Sequence, residues 1–585
     1  MNTYVIKLSL VMGLLLSFLF LSACEKELEI AGKINSMPTP EILEVHCRDM
    51  VGAPRVERIS EHVWAAMGYD LANTVLIRTP AGYIVIDPGM SPKRARAVKQ
   101  ALESEVPAGP VAAVVYTHSH IDHVGGASVW AKAGVPIWST EALPEHLFKQ
   151  YQVFLPAEST RGQRQFGEHV PLSALPCSAL GKRPDFKAVL NNGTLLPTHT
   201  FSGKKTLDFS GFKVELIEAH GETHDMLVVW VPSDKTLVAG DNFYWSFPNL
   251  YTIRGTSPRP ADAWIESLDT MRRLIPEHMI PGHTRAVHGR KEINRILTDY
   301  RDIIQWVRDA VVRGANRGLD LDTLAETIKL PPHLAEKHYA KELYGQVDWS
   351  VRALYTNNLG WFDGRADRLY PMRAGEAAAR EIALMGGNEK VLALAKEAQT
   401  QGKARWAVHL LAKIRTSGLA ENDADLDNAL AGAYETLAQE VYNTNGRGYL
   451  LERAYELRNG STEMREPTLQ PSLVAGIPLD HIFKIMAGKL KVEKAEKVHE
   501  TLVFHFPDEN RRFNLTVRRG ICEIIEGEPL PGTPFPVAVI TMNSGDYRKL
   551  ALGIEGPLSL YAGGKVSADG SWLKALAFLS RFAKK

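Results

Sequence analysis

Two periods of apolar spacing run along the chain, and the changes between them divide it. Between residues 63 and 310 the apolar positions come in short β-branched runs bounded by Gly and Pro. Examples are Val75-Leu76-Ile77, Tyr83-Ile84-Val85-Ile86-Asp87-Pro88-Gly89, and segments 111–116, 213–217, 226–231, 237–239 and 279–280. Runs of this length and composition predict strands. Helical periods intervene, over 92–105 and around Val129-Trp130. Strands alternating with helices predict an α/β layer architecture with its chemistry on the connecting loops. From about 290 to 457 the strand signal vanishes. Segments 391–399, 404–414, 426–441 and 449–457 carry apolar residues at helical spacing, joined by turns bearing Gly or Asn. They suggest a small tetratricopeptide-like array without a clean repeat. Arg458-Asn459-Gly460, Pro467 and Pro471 mark a boundary. Beyond it, 502–506, 513–518 and 521–525 alternate like strands of a meander, with a turn at Pro507-Asp508-Glu509-Asn510 and helical stretches at 479–488 and 571–582. That reads as a compact α+β module.

At 585 residues the chain is too long for one core. Its 68 basic and 67 acidic residues leave a net charge of +1, which gives no reason to expect nucleic acid as a partner. The N-terminus changes the picture more. Lys7 precedes an apolar run over 8–21, which ends in Leu21-Ser22-Ala23-Cys24. The run is short for a membrane span and has the layout of an export signal. Its last four residues resemble a bacterial lipobox, in which Cys24 is lipidated and begins the mature chain. Glu25 in place of Asp points to the outer membrane and periplasm. Residues 1–23 are therefore read as signal peptide and 24–50 as a tether, with membrane association through the lipid. Cys24, Cys47, Cys177 and Cys522 are widely spaced, which predicts neither a disulfide framework nor a thiolate metal site. Any metal must be held by His and carboxylate.

Such a set follows the strand at 111–116: Thr117-His118-Ser119-His120-Ile121-Asp122-His123. His118 and His120 leave the strand end able to face one ion, and Asp122 and His123 lie across the same turn for a second. Neutral imidazole and carboxylate are ligands that zinc accepts. Gly125-Gly126 are expected to let the backbone leave the turn at angles that other residues resist. The bland alternative is a solvated loop, against which three His and one Asp in six residues argue.

The pattern resembles the signature of the metallo-β-lactamase superfamily, which implies an αββα sandwich and further ligands at downstream strand ends. The matching runs are His220-Gly221-Glu222-Thr223, Leu237-Val238-Ala239-Gly240-Asp241 and Ile280-Pro281-Gly282-His283. The resemblance implies two zinc ions per chain, one on His118, His120 and Glu222 and the other on Asp122, His123 and His283. Asp241 and a hydroxide would bridge them, and Asp87 would orient a ligating His. His224 competes with Glu222, and His278 with His283; His220 and His224 otherwise fall near the cleft.

Glu222 in place of a third His resembles the alkylsulfatase branch. So do Asn249-Leu250-Tyr251-Thr252-Ile253-Arg254-Gly255, Leu359-Gly360-Trp361-Phe362-Asp363-Gly364 and the run 386–411. The C-terminal module resembles the sterol-carrier-like domain of that branch. The implied organisation is a catalytic domain over 51–310, an all-α dimerisation domain over 311–458 and a sterol-carrier-like domain over 472–585. The implied activity is zinc-dependent hydrolysis of detergent-like alkyl sulfates, of the dodecyl sulfate type, to alcohol and inorganic sulfate by a homodimer. Asp122, Asp241 and Arg254 would carry the catalysis, with Arg254 holding the sulfate through its planar fork. Phe243, Tyr244, Trp245 and Phe247 are candidates to line an apolar cleft, or plain core. Two features depart from the branch. Asp241 stands where Glu is usual, and segment 152–192, with Arg161, Arg164 and Lys182, matches nothing. Rival readings are hydrolysis of a phosphodiester, lactone or thioester, or a lipid-binding protein with a vestigial metal site.

Overall fold

The computed structural model describes residues 37–150, 154–189, 191–418, 423–460 and 470–582. Cys24 and the signal segment lie outside the described residues. The described residues fall into two compact units, one drawn from 37–143, 157–193 and 197–460 and the other from 144–156, 194–196 and 470–582.

The first unit is built on two sheets. Strands β1 (Arg55–Arg58), β2 (Val63–Met67), β3 (Thr74–Thr79), β4 (Gly82–Ile86), β5 (Val111–Val115), β6 (Ile137–Thr140) and β7 (His199–Phe201) form one in sequence order. The pairings are antiparallel as far as β4 and parallel from β4 to β7. Strands β8 (Lys204–Phe209), β9 (Phe212–Glu218), β10 (Leu227–Val231), β11 (Thr236–Gly240), β12 (His278–Pro281) and β13 (Val287–His288) form the other, in which only β11 and β12 run parallel. Alternate side chains of each sheet meet in a shared core: Val75, Ile77, Ile84, Ile86 and Val115 pack with Leu216, Val229, Val238 and Ile280. The opposite face of the second sheet, with Val228, Trp230, Leu237 and Met279, is covered by helices Ala261–Arg273 and Arg290–Ala315. Helix Pro92–Glu105 buries Ala95, Val98 and Leu102 on one stripe, with Ser91 capping its first turn. The result is the expected αββα sandwich. Helices Asn388–Thr400, Ala404–Ser417, Ala424–Glu440 and Thr444–Asn459 then follow where the helical spacing placed them, with Val391, Leu410, Leu411, Ile414 and Leu430 in their core.

The structure corrects the reading of the cysteines. Cys47 and Cys177 form a disulfide across 130 residues. Spacing along the chain carried no sign of it, because the fold alone brings the N-terminal segment against the loop at 171–182. The Val129-Trp130 helix reduces to a 3-10 turn, Ala127–Val129. No helix among the described residues is long and apolar enough to cross a membrane.

The second unit holds a five-stranded sheet, ordered β16 (Ile521–Glu526), β15 (Arg511–Arg518), β14 (His499–Phe506), β17 (Pro536–Met542) and β18 (Val566–Gly570). Helices Leu479–Gly488 and Trp572–Leu579 flank it. Phe483, Phe504, Phe506, Phe513, Tyr547 and Phe578 fill its core.

Candidate metal centre

The candidate ligands stand on loops next to strand ends. β4 and β5 are parallel neighbours, as are β11 and β12, so the loops after each pair emerge on one side. Asp87 follows β4, the histidine turn follows β5, Asp241 follows β11 and His283 follows β12, while Glu222 precedes β10. Gly125 and Gly126 have φ of −68° and −98°, angles open to any residue. Their role is therefore close approach: a Cβ at either would overlap a backbone carbonyl, of Met90 or of Pro88. Gly282 likewise leaves room for the Asp241 carboxylate.

The fold gathers seven side chains into two adjoining groups. Ligand atoms of His118, His120, Glu222 and Asp241 lie within 4.8 Å of one another, and so do those of Asp122, His123 and His283. All seven residues are buried. Asp241 lies between the groups. Its Oδ2 is 3.6 Å from His118 Nε2 and 3.2 Å from His283 Nε2, and its Oδ1 is 3.4 Å from His123 Nε2. Asp122 Oδ2 is 3.5 Å from both His123 Nε2 and His283 Nε2. His224, held to the Pro258 carbonyl, and His278, paired with His288, stand outside both groups.

Two of the imidazoles, those of His123 and His283, are held from behind. His123 Nδ1 donates to Asp87 Oδ2 at 2.8 Å, and Asp87 also accepts from the Thr117 amide and hydroxyl, both at 2.8 Å. His283 Nδ1 donates to the Leu71 carbonyl at 2.8 Å. These bonds leave each Nε2 facing the cluster. Glu222 is held through Oε1 by the buried Arg259, with Asn249 Nδ2 at 3.5 Å, while its Oε2 stands 4.0 Å from His120 Nδ1.

The electrostatics suit cations. Burial pushes His118 down to about 3, and burial, with His118, Arg254 and Arg259 nearby, pushes His120 well down. Both are neutral, as ligands must be. Burial also opposes charge on His123, but Asp241, Asp122 and Asp87 together overcome it and raise its pKa well above the usual range. Burial raises the Asp241 carboxyl, and His283, His123 and His118 more than reverse this, leaving it well below. Such a field favours positive charge. His123 Nε2 and Asp241 Oδ1 are buried without a hydrogen-bond partner, a state that costs about 1–3 kcal/mol per group unless something pairs it. A divalent cation on each group fits both the donor set and these atoms.

Arg254 reaches this cluster, its Nη2 standing 3.3 Å from His120 Nε2. Its backbone amide donates to Gln165 Oε1 at 2.9 Å, as does the Thr252 hydroxyl. Phe243, Tyr244, Trp245 and Phe247 do not line a cleft. They turn into the core beside Tyr300 and Tyr339, because the chain after Asp241 passes under helix Arg290–Ala315.

Comparison with known proteins agrees with this geometry. Family models match three stretches: the metallo-beta-lactamase superfamily over 67–283, alkyl sulfatase dimerisation over 320–460 and the alkyl sulfatase C-terminal domain over 467–584. A linear primary-alkylsulfatase of a Pseudomonas species (strain ATCC 19151) is 32% identical over 539 residues, covering 87% of this chain and 98% of that protein. The chain belongs to the alkylsulfatase family. An (R)-specific secondary-alkylsulfatase of Pseudomonas is 30% identical over 78% of this chain and 71% of its own length. The solved structure of the stereoselective inverting sec-alkylsulfatase Pisa1 from Pseudomonas superposes with a TM-score of 0.84 at 25% identity, covering 95% of this chain and 89% of that one. As an alkylsulfatase family member the chain is a sulfatase-type hydrolase with a buried metal-binding cluster. Sequence reasoning missed Arg259, which holds Glu222, and Gln165, which holds the Arg254 loop. Neither stands in a motif, and each is joined to its partner only by the fold.

Proposed function

We propose that this chain hydrolyses linear alkyl sulfate monoesters, of the dodecyl sulfate type, with two zinc ions held at the seven-residue cluster. One observation carries this reading: the Arg254 guanidinium stands against His120, at the edge of the two ligand groups. A sulfate monoester bears one negative charge, and a planar guanidinium pairs two of its oxygens at once. His118, His120 and Glu222 would hold one ion, Asp122, His123 and His283 the other, and Asp241 both. Bound divalent cations supply Lewis acidity and make water acidic enough to ionise near neutral pH. The chain's own residues do the rest. Arg254 holds the sulfate and balances the charge that develops on it as the ester bond opens. Asp87 fixes the His123 tautomer, and Arg259 keeps Glu222 from turning away.

The test is sulfate release from dodecyl sulfate by protein lacking residues 1–36, with metal analysis of the same preparation. Release of sulfate with about two zinc per chain is expected. Cleavage of a phosphodiester or lactone with no sulfate released overturns the substrate assignment, and protein free of metal overturns the centre.

We further propose that the protein is an exported lipoprotein anchored through Cys24. The Cys47–Cys177 disulfide supports export, since such bonds persist in oxidising compartments. Cells fed labelled palmitate should label this chain, and Cys24→Ser should abolish the label. A label that survives the substitution refutes the anchor.

A further inference from the structure

The helix Leu155–Phe166 lies within the segment that matched no sequence pattern, yet its side chains reach in two directions. Towards the cluster, Gln165 Oε1 takes both the Arg254 amide and the Thr252 hydroxyl at 2.9 Å. One turn earlier, Arg161 Nε donates to the Ile253 carbonyl at 3.0 Å, and its Nη2 stands 3.4 Å from the Tyr251 hydroxyl. Residues 251–254 are thus tied to one helix face at successive positions. Gln165 is fully buried, so the bonds it makes are not exchanged for water.

On its other side the same helix meets helix Thr444–Asn459, which lies inside the stretch matching the alkyl sulfatase dimerisation model. Arg164 Nε donates to Glu456 at 2.9 and 3.1 Å. Just beyond the helix, the His169 amide donates to Glu452 Oε2 at 2.9 Å, its ring nitrogen stands 2.6 Å from Oε1, and its ring stacks on Tyr455. Between these clamps the two backbones touch: a Cβ on Gly448 would lie 2.5 Å from the Gln165 carbonyl oxygen and 3.3 Å from the Gly167 nitrogen. That oxygen is main chain and cannot swing aside.

We infer that Gln165 is the positioning residue for Arg254, and that helix Thr444–Asn459 sets Gln165 through Gly448. The inference rests on reading Arg254 as the sulfate-holding group. Sulfate affinity would then depend on a helix outside the sandwich, and a substitution at Gly448 would be felt at the anion site without touching a metal ligand.

The experiment measures binding of decyl sulfonate, a non-hydrolysable analogue, and KM for dodecyl sulfate in the full chain. The variants are Gln165→Met, Gly448→Ala, Arg254→Ala and the Gln165→Met/Arg254→Ala double variant. Gln165→Met is expected to weaken sulfonate binding and raise KM about tenfold, as loss of a buried charge-orienting bond implies, with metal content little changed and kcat lowered as well, since Arg254 also balances the developing charge. Gly448→Ala should shift both in the same direction by a smaller factor. In the double variant Gln165→Met should add nothing to Arg254→Ala, because both act through one guanidinium. Additive losses, or lost metal with unchanged sulfonate binding, overturn the inference by assigning Gln165 a general structural role. Intact binding in Gly448→Ala overturns the link to the second helix even if Gln165→Met misfolds. If Arg254→Ala itself binds sulfonate normally, the sulfate-holding reading and this inference both fall. If it does not, while Gln165→Met binds normally, only the positioning role is lost.

Discussion

His123→Ala is expected to lower turnover of an alkyl sulfate by at least about a thousandfold, and one of the two proposed metal ions should no longer copurify with the chain. Metal Lewis acidity is worth several kcal/mol, and each 1.36 kcal/mol is about tenfold in rate. His123 is the substitution to choose because its Nε2 faces both Asp122 and Asp241, at 3.5 and 3.4 Å. Removing it leaves two buried carboxylates beside an emptied cavity. Asp87→Asn is the graded control. The amide oxygen of that variant would still accept from Thr117, but an amide does not hold the His123 tautomer as a carboxylate does. A loss of about 10–100-fold in metal affinity is expected. Metal content and sulfate release, measured together, decide the matter. Full metal occupancy in His123→Ala refutes the ligand set, and full activity in it refutes the centre as the seat of catalysis.

Arg254→Ala is expected to reduce kcat/KM for dodecyl sulfate by about 10²–10³-fold, the effect of losing one preorganised donor at a developing charge, with metal content unchanged. Arg254→Lys should recover only part of this, since an ammonium supplies charge without the two parallel donors. The pair of variants separates charge from geometry. Equal recovery by lysine would show that charge alone suffices; an unimpaired alanine variant would remove Arg254 from the site. Steady-state kinetics with metal analysis of each variant supply both readouts.

The sandwich and the cluster were legible for different reasons. Strand runs such as 83–86 and 111–115 declare themselves because a strand buried on both faces must be apolar and β-branched, and the structure places β4 and β5 there. The histidine turn was legible because three His and one Asp, donors that could hold metal, crowd into one short loop. Glu222, Asp241 and His283 lie far along the chain and were found only through the runs that flank them. Arg259 and Gln165 had no such flank: Arg259 reaches Glu222 across 37 residues, and Gln165 reaches Arg254 across 89. The aromatic residues after Asp241 carried the opposite difficulty. Sequence cannot tell a ring that lines a cleft from one that fills a core, and the packing of Phe243 against Tyr300 decides it. The disulfide was invisible because a pair of cysteines 130 residues apart has no local signature.

That disulfide bears on survival in the medium where this chain is proposed to work. Long-chain alkyl sulfates are surfactants that bind unfolded polypeptide, and whatever binds the unfolded state preferentially drains the folded one. A covalent tie between Cys47 and Cys177 encloses β1 to β6, the histidine turn and Asp87 in one loop. It limits how far that stretch can expand around surfactant, and so lowers the entropy available to the coated, opened chain. Under the proposed activity, the chain would carry part of its tolerance to the denaturant it consumes in its own covalent structure.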